Sequence, residues 1–286
     1  MRIGLHALGI GTGARPEIIR AVAAAAEAAG FATLWAGEHV VMVDEPRSTY
    51  PYSADGRIAV PADADWLDPL LALTYAAAAT SQIGLATGVL LLAEHNPVLA
   101  AKQIATLDVL SGGRLTLGVG VGWSAEEFAA LGVPFARRGA RTAEYIAALR
   151  TLWSQDVATF GGEFVRFDAV RVYPKPVRGG RIPVVAGGNS DAALRRVAAL
   201  ADGWYGFNLT VTEAVERAGV LAAYCRERGR SVSQLTVAVA VTDASPAAVP
   251  LLERAGVTQI VLLGAPPESP VGCEAWVSAL AAGWAD

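Results

Sequence analysis

Residues 83–92 read IGLATGVLLL and residues 115–122 read LTLGVGVG, two apolar runs of strand character with PVLAAKQIATLDVL at 97–110 between them. The middle segment places Leu99, Ile104, Leu107 and Leu110 roughly on one helical face, and Ser111-Gly112-Gly113 stops it. Strand, helix and strand in this order form a parallel crossover unit. Glycine recurs at 118, 120 and 122. Because glycine weakens a strand and residues two apart share a face, the three leave room on one face for a flat ligand or a close-packed element.

Outward from this unit the alternation continues along the chain. Strands are predicted at Arg2–Leu8, Ala32–Gly37, Ile83–Leu92, Leu115–Val121, Ile182–Ala186, Trp204–Asn208, Leu235–Val241 and Gln259–Leu263. Helices are predicted over Pro16–Ala29, Asp68–Thr80, Pro97–Leu110, Ala140–Trp153, Asp191–Leu200, Val211–Arg228, Pro246–Ala255 and Cys273–Ala282. Eight strands, each followed by a helix, in 286 residues fit a (β/α)8 TIM barrel, an α/β fold forming one domain over residues 1–286. Two segments interrupt the repeat as insertions. One is Val40–Trp66 after strand two, long enough for a lid; the other is Gly132–Arg181 around helices four and five, where FGGEFVRF at 160–167 reads as a hairpin outside the barrel.

With 53% hydrophobic and 17% charged residues the chain can bury a large core, and a net charge of −4 without a basic run argues against nucleic acid or anionic lipid as partner. A small-molecule substrate is the expected partner. The uncharged span Leu70–Ala93 is long enough to cross a bilayer, but Thr80-Ser81-Gln82 divides it into a helix and a strand, so no membrane span is expected. Met1-Arg2-Ile3-Gly4 enters a strand directly and Cys225 and Cys273 stand in unrelated settings, which reads as a cytoplasmic protein without leader or disulfide.

Candidate sites follow from the strand ends. Gly187-Gly188-Asn189-Ser190 stands between a strand and the helix opening DAALRR, where free backbone amides and the helix dipole suit phosphate; an ordinary capped turn would use the same residues. Gly9-Ile10-Gly11-Thr12-Gly13-Ala14 matches the G-x-G-x-x-A dinucleotide pattern, but Glu38 lies farther on than that pattern requires and Pro16 starts the helix an extra turn later. Of three histidines, His6 lies within strand one, His95 in the loop after strand three and His39 just past strand two, at the rim where a barrel keeps its reactive groups. His39 is the candidate acid or base, with a hydrogen-bonded loop histidine as the alternative. No metal is expected, because no two histidines share ligand spacing. Glu126 and Glu127, opening the helix after strand four, suit its dipole.

The set GEHV at 37–40, TGV at 87–89, HNP at 95–97, AKQIATLDVLSGGR at 101–114, GVGVGW at 118–123, ALGVPFARRGAR at 130–141 and GGNS at 187–190 resembles the bacterial luciferase-like monooxygenase superfamily. Within it the chain is similar to oxidoreductases using the deazaflavin coenzyme F420. The resemblance is dense from Met1 to about Phe207 and looser beyond. It implies a cofactor ring entering from the strand carboxyl ends, with contacts at Thr87, Gly88, Val89, Asn96, Gly120 and Gly122, a non-prolyl cis bond at Gly88-Val89, and phosphate on Gly187, Gly188, Asn189 and Ser190. His39 matches the substrate-facing histidine of related sugar-phosphate dehydrogenases, but those carry an acid just after the glycine-rich strand, where this chain has Trp123. Arg137, Arg138 and Arg141 are placed to meet the anionic tail of the coenzyme, or else form a solvated face. The implied activity is hydride exchange between coenzyme F420 and a small organic molecule. FMN-dependent monooxygenation with a partner reductase, or flavin binding without catalysis, are the alternatives; a homodimer is expected.

Overall fold

The computed structural model describes residues 1–284. Eight parallel strands close on themselves in the order β1-β10-β9-β8-β7-β4-β3-β2. In chain order the elements are β1 (Arg2–Leu8), α1 (Pro16–Ala28), β2 (Thr33–Ala36), α2 (Pro69–Ala78), β3 (Gly84–Thr87), α3 (Pro97–Leu110), β4 (Leu115–Val119), α4 (Ala125–Ala130) and α5 (Arg138–Ser154). They continue with β5 (Ala158–Gly161), β6 (Arg166–Val170), β7 (Val184–Gly187), α6 (Asp191–Leu200), β8 (Gly203–Leu209), α7 (Val211–Arg226), β9 (Thr236–Val241), α8 (Val249–Arg254), β10 (Gln259–Leu263) and α9 (Pro270–Ala282). The fold is the expected (β/α)8 barrel, with β5 and β6 as an antiparallel hairpin outside it.

Closure comes from β1 pairing with β2 on one side and β10 on the other. Helix starts are written locally: Asp68, Asn96, Ser124, Ser190, Thr210 and Ser269 each cap the helix that follows. One apolar layer lies between barrel and helices, where α1 buries Ile18, Ile19 and Val22, about 1.5–3 kcal/mol for each such side chain. A second, smaller cluster fills the barrel axis. There Trp35 stacks on Tyr205 with centroids 4.5 Å apart, and the small side chains Ala86, Ala238 and Ala240 make room for the two large rings. These rings floor the barrel and leave its carboxyl-end mouth open.

The strands around the opening stretch are shorter than predicted. β3 ends at Thr87 rather than Leu92: the Gly88-Val89 bond is cis, Leu90 makes a single bridge to Val119, and the chain turns at Leu92–Glu94. β4 ends at Val119, and Gly122 has φ +77°. The three glycines therefore do not share one open slot. A side chain at Gly118 would meet the Thr87 carbonyl at 1.9 Å, and one at Gly120 would meet Val89 at 2.6 Å, so the absent side chains seat the bulged end of β3. The predicted helix Pro246–Ala255 divides into a short turn at Pro246–Ala248 and α8. Among the described residues no helix is long and apolar enough to cross a membrane.

Candidate active site

A cavity of about 690 Å³ opens at the strand carboxyl ends, within the range that small-molecule sites occupy. The strand ends supply His6, Gly37–His39, Gly88, Val89, Gly120–Trp123, Gly187–Ser190, Tyr205 and Phe207; the loop after β2 roofs it with Thr49–Ser53 and Arg57–Val60. That loop is tied down by several bonds. The Arg47 and Ser48 amides donate to Glu126 (2.9 and 3.2 Å), the Asn208 amide donates to the Tyr52 carbonyl (2.6 Å), and the Trp66 indole donates to the Gly37 carbonyl (3.0 Å).

One end of the cavity is built for an anion. Gly188 has φ +110°, a conformation that suits glycine, and a Cβ there would lie 2.9 Å from Ala193. Ser190 caps α6, so the first amides of this helix face the turn. Arg138 and Arg196 line the same end, and neither forms an ion pair with a carboxylate among the described residues. The Arg138 guanidinium lies 3.8 Å over Phe135 and donates to the Gly122 carbonyl (2.9 Å). Burial, then the charge of Arg138, lowers the pKa of Arg196. Two cations side by side without a counter-charge, next to helix amides and a glycine turn, fit a phosphate.

The candidate residues separate into those at the cavity and those behind it. His39, Gly88, Val89, Gly120, Gly122, Gly187, Gly188, Asn189 and Ser190 line it. Thr87 is buried between strands, its hydroxyl donating to the Gly118 carbonyl (2.7 Å) and accepting from the Gly118 amide (2.8 Å). Asn96 is exposed and caps α3, accepting from the Val98 and Leu99 amides (3.0 and 3.1 Å), so it is a helix cap rather than a cofactor contact. Asn189 spends its amide on β8, donating to the Phe207 carbonyl (2.7 Å) and accepting from its amide (3.2 Å); it shapes the turn. Of the three arginines at the start of α5, where Arg137 is the N-cap and Arg138 and Arg141 lie in the first turn, only Arg138 reaches the cavity. Arg137 pairs with Glu163, and Arg141 is buried on the Pro134 carbonyl (2.7 Å). The Gly9–Ala14 glycines close a tight turn after β1, with the Gly9 amide on the Gly13 carbonyl (2.9 Å), and present Ile10 to the cavity.

His39 is held from both sides. Its Nδ1 lies 2.8 Å from Glu127 Oε2, and the Trp123 indole donates to its Nε2 (3.3 Å). Glu127 is fully buried and also accepts from the Val40 and Val41 amides (2.7 and 3.3 Å). Its carboxylate therefore orients the imidazole and anchors the lid, a role that its place in the first turn of α4 conceals. Ser124-x-x-Glu127 reads as a capping box, and Ser124 Oγ does accept from the Glu127 amide (3.2 Å), but the carboxylate points away from the cap. Glu127 lies four residues after Trp123 in the chain.

Around this pair lies a second buried group. Glu38 accepts from the Leu91 amide (2.5 Å) and from His95 Nε2 (2.9 Å). Burial opposes a charge on His95, but the hydrogen bond to Glu38 and its charge outweigh burial and raise the pKa. Glu94 is buried with neither oxygen bonded; burial, then the charges of Glu127 and Glu38, push it up to about 9, so it is neutral at pH 7. His6, on the floor, bonds the Tyr205 hydroxyl through Nδ1 (2.9 Å), and burial pushes it down to about 4. Among the described residues no three His, Cys, Asp or Glu side chains are grouped to hold a metal ion.

Comparison with known proteins adds relatives to this geometry. A protein of Mycobacterium tuberculosis, described as uncharacterized, is 38% identical over 267 residues, 92% of each chain. The FMNH2-dependent dimethylsulfone monooxygenase of Pseudomonas fluorescens is 41% identical over 142 residues, 49% of this chain and 38% of that protein. In fold, the coenzyme F420-dependent tetrahydromethanopterin reductase of Methanopyrus kandleri matches 99% of this chain and 97% of its own with a TM-score of 0.76 at 17% identity. The luciferase-like monooxygenase family model matches residues 3–247, and the chain belongs to that family.

Proposed function

We propose that the chain is an oxidoreductase that exchanges hydride between the deazaflavin coenzyme F420 and a small organic molecule. The observation that carries this reading is the unpaired Arg138–Arg196 couple beside the Gly187–Ser190 turn, which suits the phosphate and acidic tail of that coenzyme. Val89, Gly120 and Gly122 border the space between the anion end and His39 and would hold the ring. The bound coenzyme supplies the hydride acceptor or donor. This chain supplies the proton transfer: the substrate hydroxyl displaces the Trp123 indole from His39 Nε2, and an alcohol losing hydride from carbon gives its proton to that nitrogen, while Glu127 at Nδ1 fixes the tautomer and steadies the charge. The lid bonds to Glu126, Glu127 and Asn208 would keep water from the reacting carbon.

The second reading is FMN-dependent monooxygenation fed by a partner reductase, favoured by the likeness to the FMNH2-dependent enzyme over half of this chain. The assembly we propose is a homodimer through the apolar outer faces of α2 and α3.

Separate titrations with coenzyme F420 and with FMN, followed by anaerobic turnover, test the choice. We expect tighter binding of F420, and His39→Asn should keep that binding while slowing turnover by about 10²–10⁴-fold, the usual contribution of a placed acid or base. Tighter binding of FMN with oxygen consumption would transfer the assignment to the second reading. Normal turnover by the variant would remove His39 from the mechanism.

A further inference from the structure

The anion turn follows β7, and β1 stands four strands from β7 in either direction round the closed barrel, so the ends of β1 and its neighbours lie across the mouth from the phosphate site. That far side is apolar. Ile10 follows β1, Leu263 ends β10, and Trp66 bridges to Ile10 with its indole hydrogen already given to the Gly37 carbonyl. Ile58 and Val60 of the loop after β2 add apolar side chains to the same cavity.

An aromatic wall runs from one side to the other. Phe207 meets Tyr52 (centroids 5.4 Å apart), Tyr52 meets Tyr50 (5.4 Å), Tyr50 meets Trp123 (5.2 Å), and Trp123 and Trp66 flank His39 (5.7 and 4.8 Å). The carboxylates at this wall are committed: Glu127 to His39 and two amides, Glu38 to His95 and the Leu91 amide. The one cation of the roof, Arg57, is exposed. Among the described residues the far half thus offers no paired cations for a phosphate or carboxylate and no uncommitted carboxylate for an ammonium group; its polar atoms include the unpartnered His6 Nε2 on the floor and the hydroxyls of Tyr50 and Tyr52.

We infer that the substrate is an uncharged, largely apolar carbonyl compound or alcohol with a planar or ring-shaped body, laid against Trp66, Trp123 and Tyr50, its single oxygen toward His39. This substrate class rests on the oxidoreductase reading for the carbonyl or alcohol group, but its apolar, uncharged character rests on the walls alone.

The test is a set of ligand titrations read by quenching of tryptophan fluorescence, since Trp66 and Trp123 line the cavity, on the full chain both free and loaded with its cofactor. Acetophenone, propiophenone and butyrophenone should bind with dissociation constants falling about fourfold for each added methylene. On the cofactor-loaded chain, where the anion end is filled, glucose 6-phosphate and 4-acetylbenzoate should bind at least about tenfold more weakly than acetophenone, because neither charge finds a partner in the apolar half. Ile58→Asp should weaken acetophenone by about tenfold or more and leave cofactor affinity unchanged, while Ile58→Leu should bind as the parent does. A flat methylene series, or an anion that binds the cofactor-loaded chain as tightly as acetophenone does, would overturn the inference. Failure of both cofactors to bind while the ketone series holds would strike the oxidoreductase reading and leave the apolar site standing.

Discussion

Glu94 has both carboxyl oxygens buried without a partner, between the charges of Glu127 and Glu38. Its folded pKa of about 9 lies above the ordinary 4.5, so the native state holds a proton that the unfolded chain releases. The sign follows: this contribution to stability is full below about pH 4.5 and is lost as pH rises toward 9, by at most about 1.4 kcal/mol per pH unit. Glu94→Gln keeps the shape and removes the titration, so the fall in melting temperature between pH 6 and pH 9 should be smaller in the variant. Equal falls in both proteins would show that Glu94 does not carry the proton. At this scale the sequence is only partly legible. The place of His39 at the cavity is legible because it follows the end of a strand, whereas Glu127 hides behind a capping pattern and Asn96, quoted within a family motif, caps a helix. Which way a carboxylate turns is decided by partners 88 residues distant, and no local pattern records that.

Elements were more legible than their ends. β1, α3, α6 and β10 have the predicted bounds because capping residues, prolines and glycines mark them. β3 and β4 end sooner than the sequence predicts, because LLL and GVG after the strand ends are as apolar as the strands themselves; the chain leaves the ladder there to build the cavity wall. Two neighbouring helices carry a different message. α2 and α3 pack side by side, yet Leu71, Tyr75, Leu99 and Leu110 stay 71%, 39%, 57% and 62% exposed, large apolar groups on two neighbouring helices. Light scattering should report twice the 29.6 kDa chain mass, and Leu71→Glu with Leu99→Glu should return the protein to one chain with its circular dichroism unchanged. A parent protein with the mass of one chain would contradict the homodimer.

For the whole molecule, eight strand–helix repeats were enough to fix the barrel, since parallel strands with helical crossovers have few ways to bury both faces. The same repeat places every strand carboxyl end on one mouth, which is why His39, Val89, Gly120 and Gly188 meet although they are scattered over 150 residues. The lid was legible as a long interruption; its tyrosines and its bonds to α4 were not, because nothing local says which way an irregular loop folds back. A ring cofactor bound in this cavity is expected to rest its phosphate on the β7–α6 turn. The most direct measurement compares the dissociation constants of FMN and of riboflavin, which lacks the phosphate, for the parent chain and for Gly188→Val. Loss of the phosphate should weaken binding to the parent by more than about tenfold, and Gly188→Val should abolish that difference by pushing a side chain into the turn. Equal affinities of the parent for FMN and riboflavin would contradict it.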